Sequence, residues 1–261
     1  FNKFPKYPKS ISSSLDSIPE KNCYLMVGHW LNGEFGHDRK DTGGTIMTFL
    51  ESFKNKASKN QPALVIKTSS AGYSVTDREN MLDRIRQIRS SVETSGTVPN
   101  VYLLHGDLSS EEMNGLYHHP KIKAMVSFTH GEGFGRPLLE FGITGKPILA
   151  SNWSGHLDFL SEHGLLLQGQ LQPVHKSAQW DKVIIEGSSW YYVDYGYAMG
   201  VIKDVESNYK KHLAKSRKQK QYIKDNFTLD EMTKLFTKQV ENNVPSFEPK
   251  VPKLEALKTY E

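Results

Sequence analysis

The sequence has little cysteine, no long apolar run and little net charge, and each shortage removes a class of protein. One cysteine, Cys23, cannot close a disulfide within the chain. Its neighbours Tyr24, Leu25 and Met26 mark it as a buried strand residue, so a reducing, cytoplasmic setting is expected. No apolar run approaches the ~20 residues that span a bilayer, and the opening FNKFPKYPKS lacks a signal-peptide core. The chain starts at Phe1 rather than Met, which reads as a processed or truncated product. Lys and Arg number 33 against 29 Asp and Glu, and the net charge of +4 is too small for a whole-molecule field that gathers nucleic acid.

Familiar catalytic signatures are missing too. The ten histidines never take H-E-x-x-H spacing, and there is no D-x-D carboxylate pair to hold a divalent metal. Gly131, Gly133 and Gly135 imitate a dinucleotide fingerprint, but the third glycine of G-x-G-x-x-G falls on Arg136. A P-loop fails because Glu140 stands where Gly is needed and Pro147 replaces Ser or Thr. A hydrolase elbow around Ser154 fails because residue 152 is Asn.

What is present is ordinary globular material: 261 residues, 37% hydrophobic and 24% charged, without an internal repeat. Residues 1–21, with Pro5, Pro8 and Pro19, read as an extended arm or linker, 22–243 as one domain and 244–261 as a tail. Short apolar runs at Cys23–Gly28, Ala63–Lys67, Val101–His105, Lys123–Phe128 and Pro147–Ser151 read as strands. Helical spacing separates them at Gly44–Phe53, Asp77–Val92, from Ser109 (a capping box with Glu112) and from Pro137. This alternation predicts an α/β fold, a doubly wound parallel sheet, followed by helices at about Tyr195–Asp225 and Leu229–Asn242. The stretch after Leu160 reads as irregular, and the default role of Trp180, Trp190, Tyr191 and Tyr192 is packing.

In such a sheet, ligands bind at the carboxyl ends of the strands. Gly28–Lys40, Lys67–Ser70, His105–Asp107, Thr129–Arg136 and Asn152–Gly155 all belong there. The glycines of GEGFG let the backbone approach a ligand, helix amides favour an anion, and Arg39, Lys40, Lys67 and Arg136 add positive charge. Glu132 and Glu140, eight positions apart, add acceptors suited to sugar hydroxyls. The cationic run Lys203–Lys224 suggests a nucleic-acid or acidic-lipid surface, the latter a peripheral membrane contact, or the solvated face of a helix with Val205, Tyr209, Leu213 and Tyr222 inward; the last reading is favoured.

The segment LHGDLSSEEMNGLY, then SFTHGEGFGRPLLEFGITGKPILAS and NWSGHLDFL, resembles the donor-binding domain of retaining glycosyltransferases of the GT-B fold, group 1 or family 4. Glu132, Gly133, Phe134, Gly135, Pro137, Glu140, Gly145, Lys146 and Pro147 match the family's E-x7-E and G-K-P signature, and the likeness covers roughly residues 22–165. Arg136, Phe141 and Ile143 depart from it. The resemblance implies a Rossmann-like carboxyl-terminal half of a GT-B enzyme that transfers a hexose from a UDP- or GDP-linked sugar, with no further cofactor and no metal. It implies catalytic parts for Glu132, at the sugar hydroxyls, and for Arg39, Lys40 and Lys67, at the departing diphosphate. Glu140 would hold the ribose, and His105 and Gly106 would face the base. The amides of Gly133, Phe134 and Gly135, with Arg136 and Pro137, would line the donor. The acceptor stays unidentified, and the amino-terminal acceptor domain is expected in the same full-length chain or as a partner. Two other readings stay open: a non-catalytic glycosyltransferase-like interaction module, and a nucleotide-sugar epimerase, which the EGFG and Glu140 pattern disfavours.

Overall fold

Short aliphatic runs build the centre of the molecule. The computed structural model describes residues 8–31, 33–70, 72–94, 96–160 and 162–245; residues 1–7 of the expected arm and 246–261 of the expected tail lie outside the described residues. Strands β1 (Cys23–Val27), β2 (Ala63–Lys67), β3 (Val101–Leu104), β4 (Ile122–Ser127), β5 (Ile148–Ser151) and β6 (Leu165–Leu167) pair in parallel in the order β3-β2-β1-β4-β5-β6. Between them run α2 (Thr42–Phe53), α3 (Val75–Glu93), α4 (Ser110–His118), α5 (Arg136–Gly142) and α6 (Leu157–Leu160). Both faces of the sheet are covered, which is why its strands read as continuous apolar runs rather than alternating ones. Tyr24, Met26, Leu64, Ile66, Ala124 and Val126 join Phe49, Ile85 and Ile202 in one core cluster. The alternate positions Cys23, Leu25, Val65 and Met125 are buried as well. Burial pushes the Cys23 thiol up to about 12.

The chain winds outward from β1 to β3, then crosses back through α4 to place β4 on the other side of β1. The order reverses between β1 and β4, where doubly wound sheets open a crevice at their carboxyl edge.

Three local expectations are corrected. Part of the supposed extended arm is a helix, α1 (Lys9–Asp16), because Ile11 and Leu15, one turn apart, are both buried. Lys121 Nζ closes its end by donating to the carbonyls of Leu15 and Asp16 at 3.0 and 3.1 Å. The helix expected over Tyr195–Asp225 is two, α7 (Tyr195–Ser207) and α8 (Tyr209–Asn226), because Asn208 leaves the helical region at φ −117°. Fully buried on α8 are His212, Ser216, Gln219 and Ile223; Tyr209 packs against the core as expected, while Leu213 and Tyr222 are only partly buried. Finally, the stretch after Leu160 contains β6 and an antiparallel ribbon, β7 (Gly169–Pro173) with β8 (Ser189–Val193).

The chain divides into two compact units, residues 1–225 and 226–261. The described part of the second unit holds α9 (Leu229–Asn243), whose first turn is capped by the Thr228 side chain accepting from the Glu231 amide. Among the described residues no helix is long and apolar enough to cross a membrane.

Candidate functional site

The loops after β1 and β4 meet at the reversal point, and backbone contacts fix their positions. The His130 amide donates to the Arg39 carbonyl at 2.9 Å, and Thr129 Oγ1 donates to the same oxygen at 3.3 Å. Arg39 Nη1 returns the contact on the Gly131 carbonyl at 3.0 Å. These bonds bring the Lys40 ammonium against Glu132 Oε1, with Arg39 Nη1 3.5 Å from Oε2. Burial alone would raise the Glu132 carboxyl, but Lys40 and then Arg39 hold it below the usual carboxylate range. Burial lowers the Lys40 ammonium, and Glu132 opposes that.

The Gly-rich turn is held from below by the loop after β5. Ser154 Oγ accepts from the Glu132 amide at 2.9 Å, and the Gly155 amide donates to the Glu132 carbonyl at 3.0 Å. The two loops approach so closely that a Cβ on Gly155 would overlap the Gly133 carbonyl. Gly135, at φ +84°, turns the chain into α5 from the left-handed region that glycine tolerates. That helix starts with no side-chain cap, whereas the starts of α2, α3, α4 and α7 are closed by Asp41, Ser74, Ser109 and Asp194.

A cavity of about 260 Å³ opens at this edge, lined by Gly28, Arg39, Lys40, Lys67, Tyr73, Asp107, Arg136, Pro137 and Glu140 among others. Six of the residues expected at the site therefore share one cavity: Arg39, Lys40, Lys67, Arg136, Pro137 and Glu140. Lys67 Nζ donates to the Gly106 carbonyl at 2.8 Å and lies 5.2 Å from the Tyr73 ring centre. Burial lowers its ammonium, and Asp107 opposes this. Glu140 is held by Arg136 Nε at 3.3 Å. Burial raises its carboxyl, with Arg136 and then the Tyr117 hydroxyl opposing. A second cavity of about 290 Å³ adjoins the first, sharing Leu108, Met113, Tyr117, Arg136 and Glu140 with it.

Other expected residues lie elsewhere. The His105 ring turns into the protein, its Nε2 2.7 Å from Asp77 Oδ2, and Gly106 offers its carbonyl to Lys67; neither lines the cavity. The Phe134 ring packs 5.5 Å from that of Phe159. Lys146 of the G-K-P motif is a helix-end clamp, donating to the Tyr117 and His119 carbonyls at the end of α4, both at 2.8 Å. Among the described residues no group of His, Cys, Asp or Glu is arranged to hold a metal ion.

The β7–β8 ribbon is the part of this edge that sequence patterning missed. The Trp190 ring stacks on His130 at 5.1 Å and the Tyr191 ring on Trp153 at 6.3 Å. His37 stacks on His175 at 4.2 Å, and its Nδ1 lies 3.3 Å from the Tyr192 hydroxyl. The ribbon thus braces the loops after β1, β4 and β5. The signal available was the aromatic cluster itself, while Trp180 is exposed.

No protein-family model matches the sequence, nor does any curated protein sequence. Solved structures do match its fold. A glycosyltransferase from Rickettsia africae superimposes with TM-score 0.59 at 13% identity, over 93% of this chain and 54% of that one. Anabaena HepE in complex with UDP and glucose gives TM-score 0.58 at 12% identity, over 91% and 53%. The carboxyl-terminal domain of a group 1 glycosyltransferase, LpcC from Francisella tularensis, gives 0.51 at 13%, over 87% and 96%. The fold is that of the carboxyl-terminal half of a GT-B glycosyltransferase. The chain spans about half the length of the first two matches and nearly all of the isolated LpcC domain. In GT-B terms, the Lys40–Glu132 pair and the adjoining cavity lie at the carboxyl edge of this half.

Proposed function

We propose that the chain is the donor-binding half of a retaining, metal-independent hexosyltransferase that uses a UDP- or GDP-linked sugar. One observation carries the proposal: three cations, Arg39 and Lys40 from the loop after β1 and Lys67 from the end of β2, share a cavity with Glu140, and the first two also pair with Glu132 at the sheet's reversal point. An anion with vicinal hydroxyls matches that arrangement. Glu140 accepts from the ribose hydroxyls and Glu132 from those of the sugar. Lys67, Arg39 and Lys40 face the diphosphate and stabilise its charge as the glycosidic bond breaks. The Anabaena structure, which holds UDP and glucose, agrees with that ligand class. Turnover requires a second Rossmann-like half that binds the acceptor, in the same full-length chain or as a partner, and a cytoplasmic setting belongs to the same proposal.

Calorimetric titration with UDP and GDP tests it. Lys67→Ala and Glu140→Ala should each weaken binding about tenfold or more, the worth of a hydrogen bond to a charged group. Since burial raises Glu140 and its acceptor form is the carboxylate, affinity should fall on acidification from a higher pH than an ordinary glutamate would give. Absence of binding by both nucleotides, or variants equal to the parent, contradicts the assignment.

A further inference from the structure

Tyr117 lies in the last turn of α4, 2% exposed, with its ring edge-on to Phe141 at 5.9 Å. Packing alone explains the ring but not the hydroxyl, which is buried and makes no well-formed hydrogen bond, although the Glu140 carboxylate lies near enough to interact with it. Phenylalanine would fill the same space without the cost of a desolvated donor. The residue lines both cavities, and the charge nearest its hydroxyl is the Glu140 carboxylate, which also lines both. Glu140 is meanwhile held by Arg136, whose side chain is 82% exposed, in a one-turn pair that contributes little. A carboxylate has about four acceptor positions, so it accepts two vicinal hydroxyls and one further donor together.

We propose that Tyr117 is a positioning residue for a vicinal diol of the ligand: its hydroxyl donates to Glu140 as the diol engages, fixing the carboxylate in the orientation that accepts both hydroxyls. This rests on the nucleotide-binding reading above, with the ribose as the diol. Burial and the neighbouring carboxylate both push the Tyr117 hydroxyl upward, so it keeps its proton and acts as a donor.

Tyr117→Phe tests this by calorimetry with UDP, GDP and the 2′,3′-dideoxy form of whichever binds. The variant should bind the ribonucleotide about tenfold more weakly and the dideoxynucleotide as the parent does. Without nucleotide its melting temperature should equal or exceed that of the parent. A parent that binds neither nucleotide overturns the nucleotide-binding reading and this proposal together. A parent that binds, with a variant equal to it or one weakened equally toward the dideoxy form, overturns the positioning role alone. So does a lower melting temperature in the variant, which would mean that the hydroxyl already has its partner.

Discussion

Asp41 stands next to the candidate site and shows how one side chain ties it to the fold. It caps α2 from the left-handed region, at φ +47°, and its carboxylate accepts from the Gly44 amide at 3.1 Å and the Tyr195 hydroxyl at 2.8 Å. Burial pushes its carboxyl up to about 8, with the Tyr195 hydrogen bond opposing and Asp38 adding to it. The folded state keeps this proton where the unfolded chain, with a pKa of about 3.9, has lost it. The stability contributed by Asp41 is therefore greatest below the unfolded value and falls as pH rises from ~4 through about 8. Asp41→Asn keeps a good cap in a backbone region that asparagine tolerates, and it has no proton to lose. The melting temperature of the parent should fall relative to that of the variant between about pH 5 and pH 8; parallel curves by scanning calorimetry would contradict this. The identities of Glu132 and Lys40 were legible in the sequence, but their pairing across 92 positions was not, because it depends on two loops meeting at the strand reversal. The turn of His105 toward Asp77 was likewise set by packing rather than by any local pattern.

Among elements, the site rests on tight loop-to-loop contact more than on helix propensity. Gly155→Ala places a methyl on the Gly133 carbonyl, so one loop must move; overpacking of this kind typically costs about 1–3 kcal/mol. Denaturant unfolding should register that loss, and nucleotide affinity should fall with it because the Glu132 turn is displaced. An unchanged midpoint would mean that the loops yield freely. The strands β1, β2, β4 and β5 were readable because each is a short, buried aliphatic run, β3 because its apolar run VYLL stands out although only partly buried, and the α4 capping box from Ser109 and Glu112. The ribbon was not. GQLQP of β7 is exposed along its whole length and has no apolar alternation, so only its aromatic partners on β8 and the loops behind them define it as a strand.

For the whole molecule, the doubly wound parallel sheet followed from alternating short strands and helices, its strand order did not, and the superimposed glycosyltransferases share that architecture. The last described helix, α9, was legible from its spacing, but α1 was not, because Pro5, Pro8 and Pro19 dominate that end of the sequence. The central claim is that one edge of this sheet binds a nucleoside-diphosphate sugar. Amide hydrogen exchange with and without UDP- and GDP-sugars tests it most directly, since it reports where the ligand acts without presuming any residue. Protection is expected to rise in the loops after β1, β2 and β4 and at the start of α5, with the α7 and α8 amides unchanged. No change with any of the sugars, or protection confined to segments away from that edge, would contradict it.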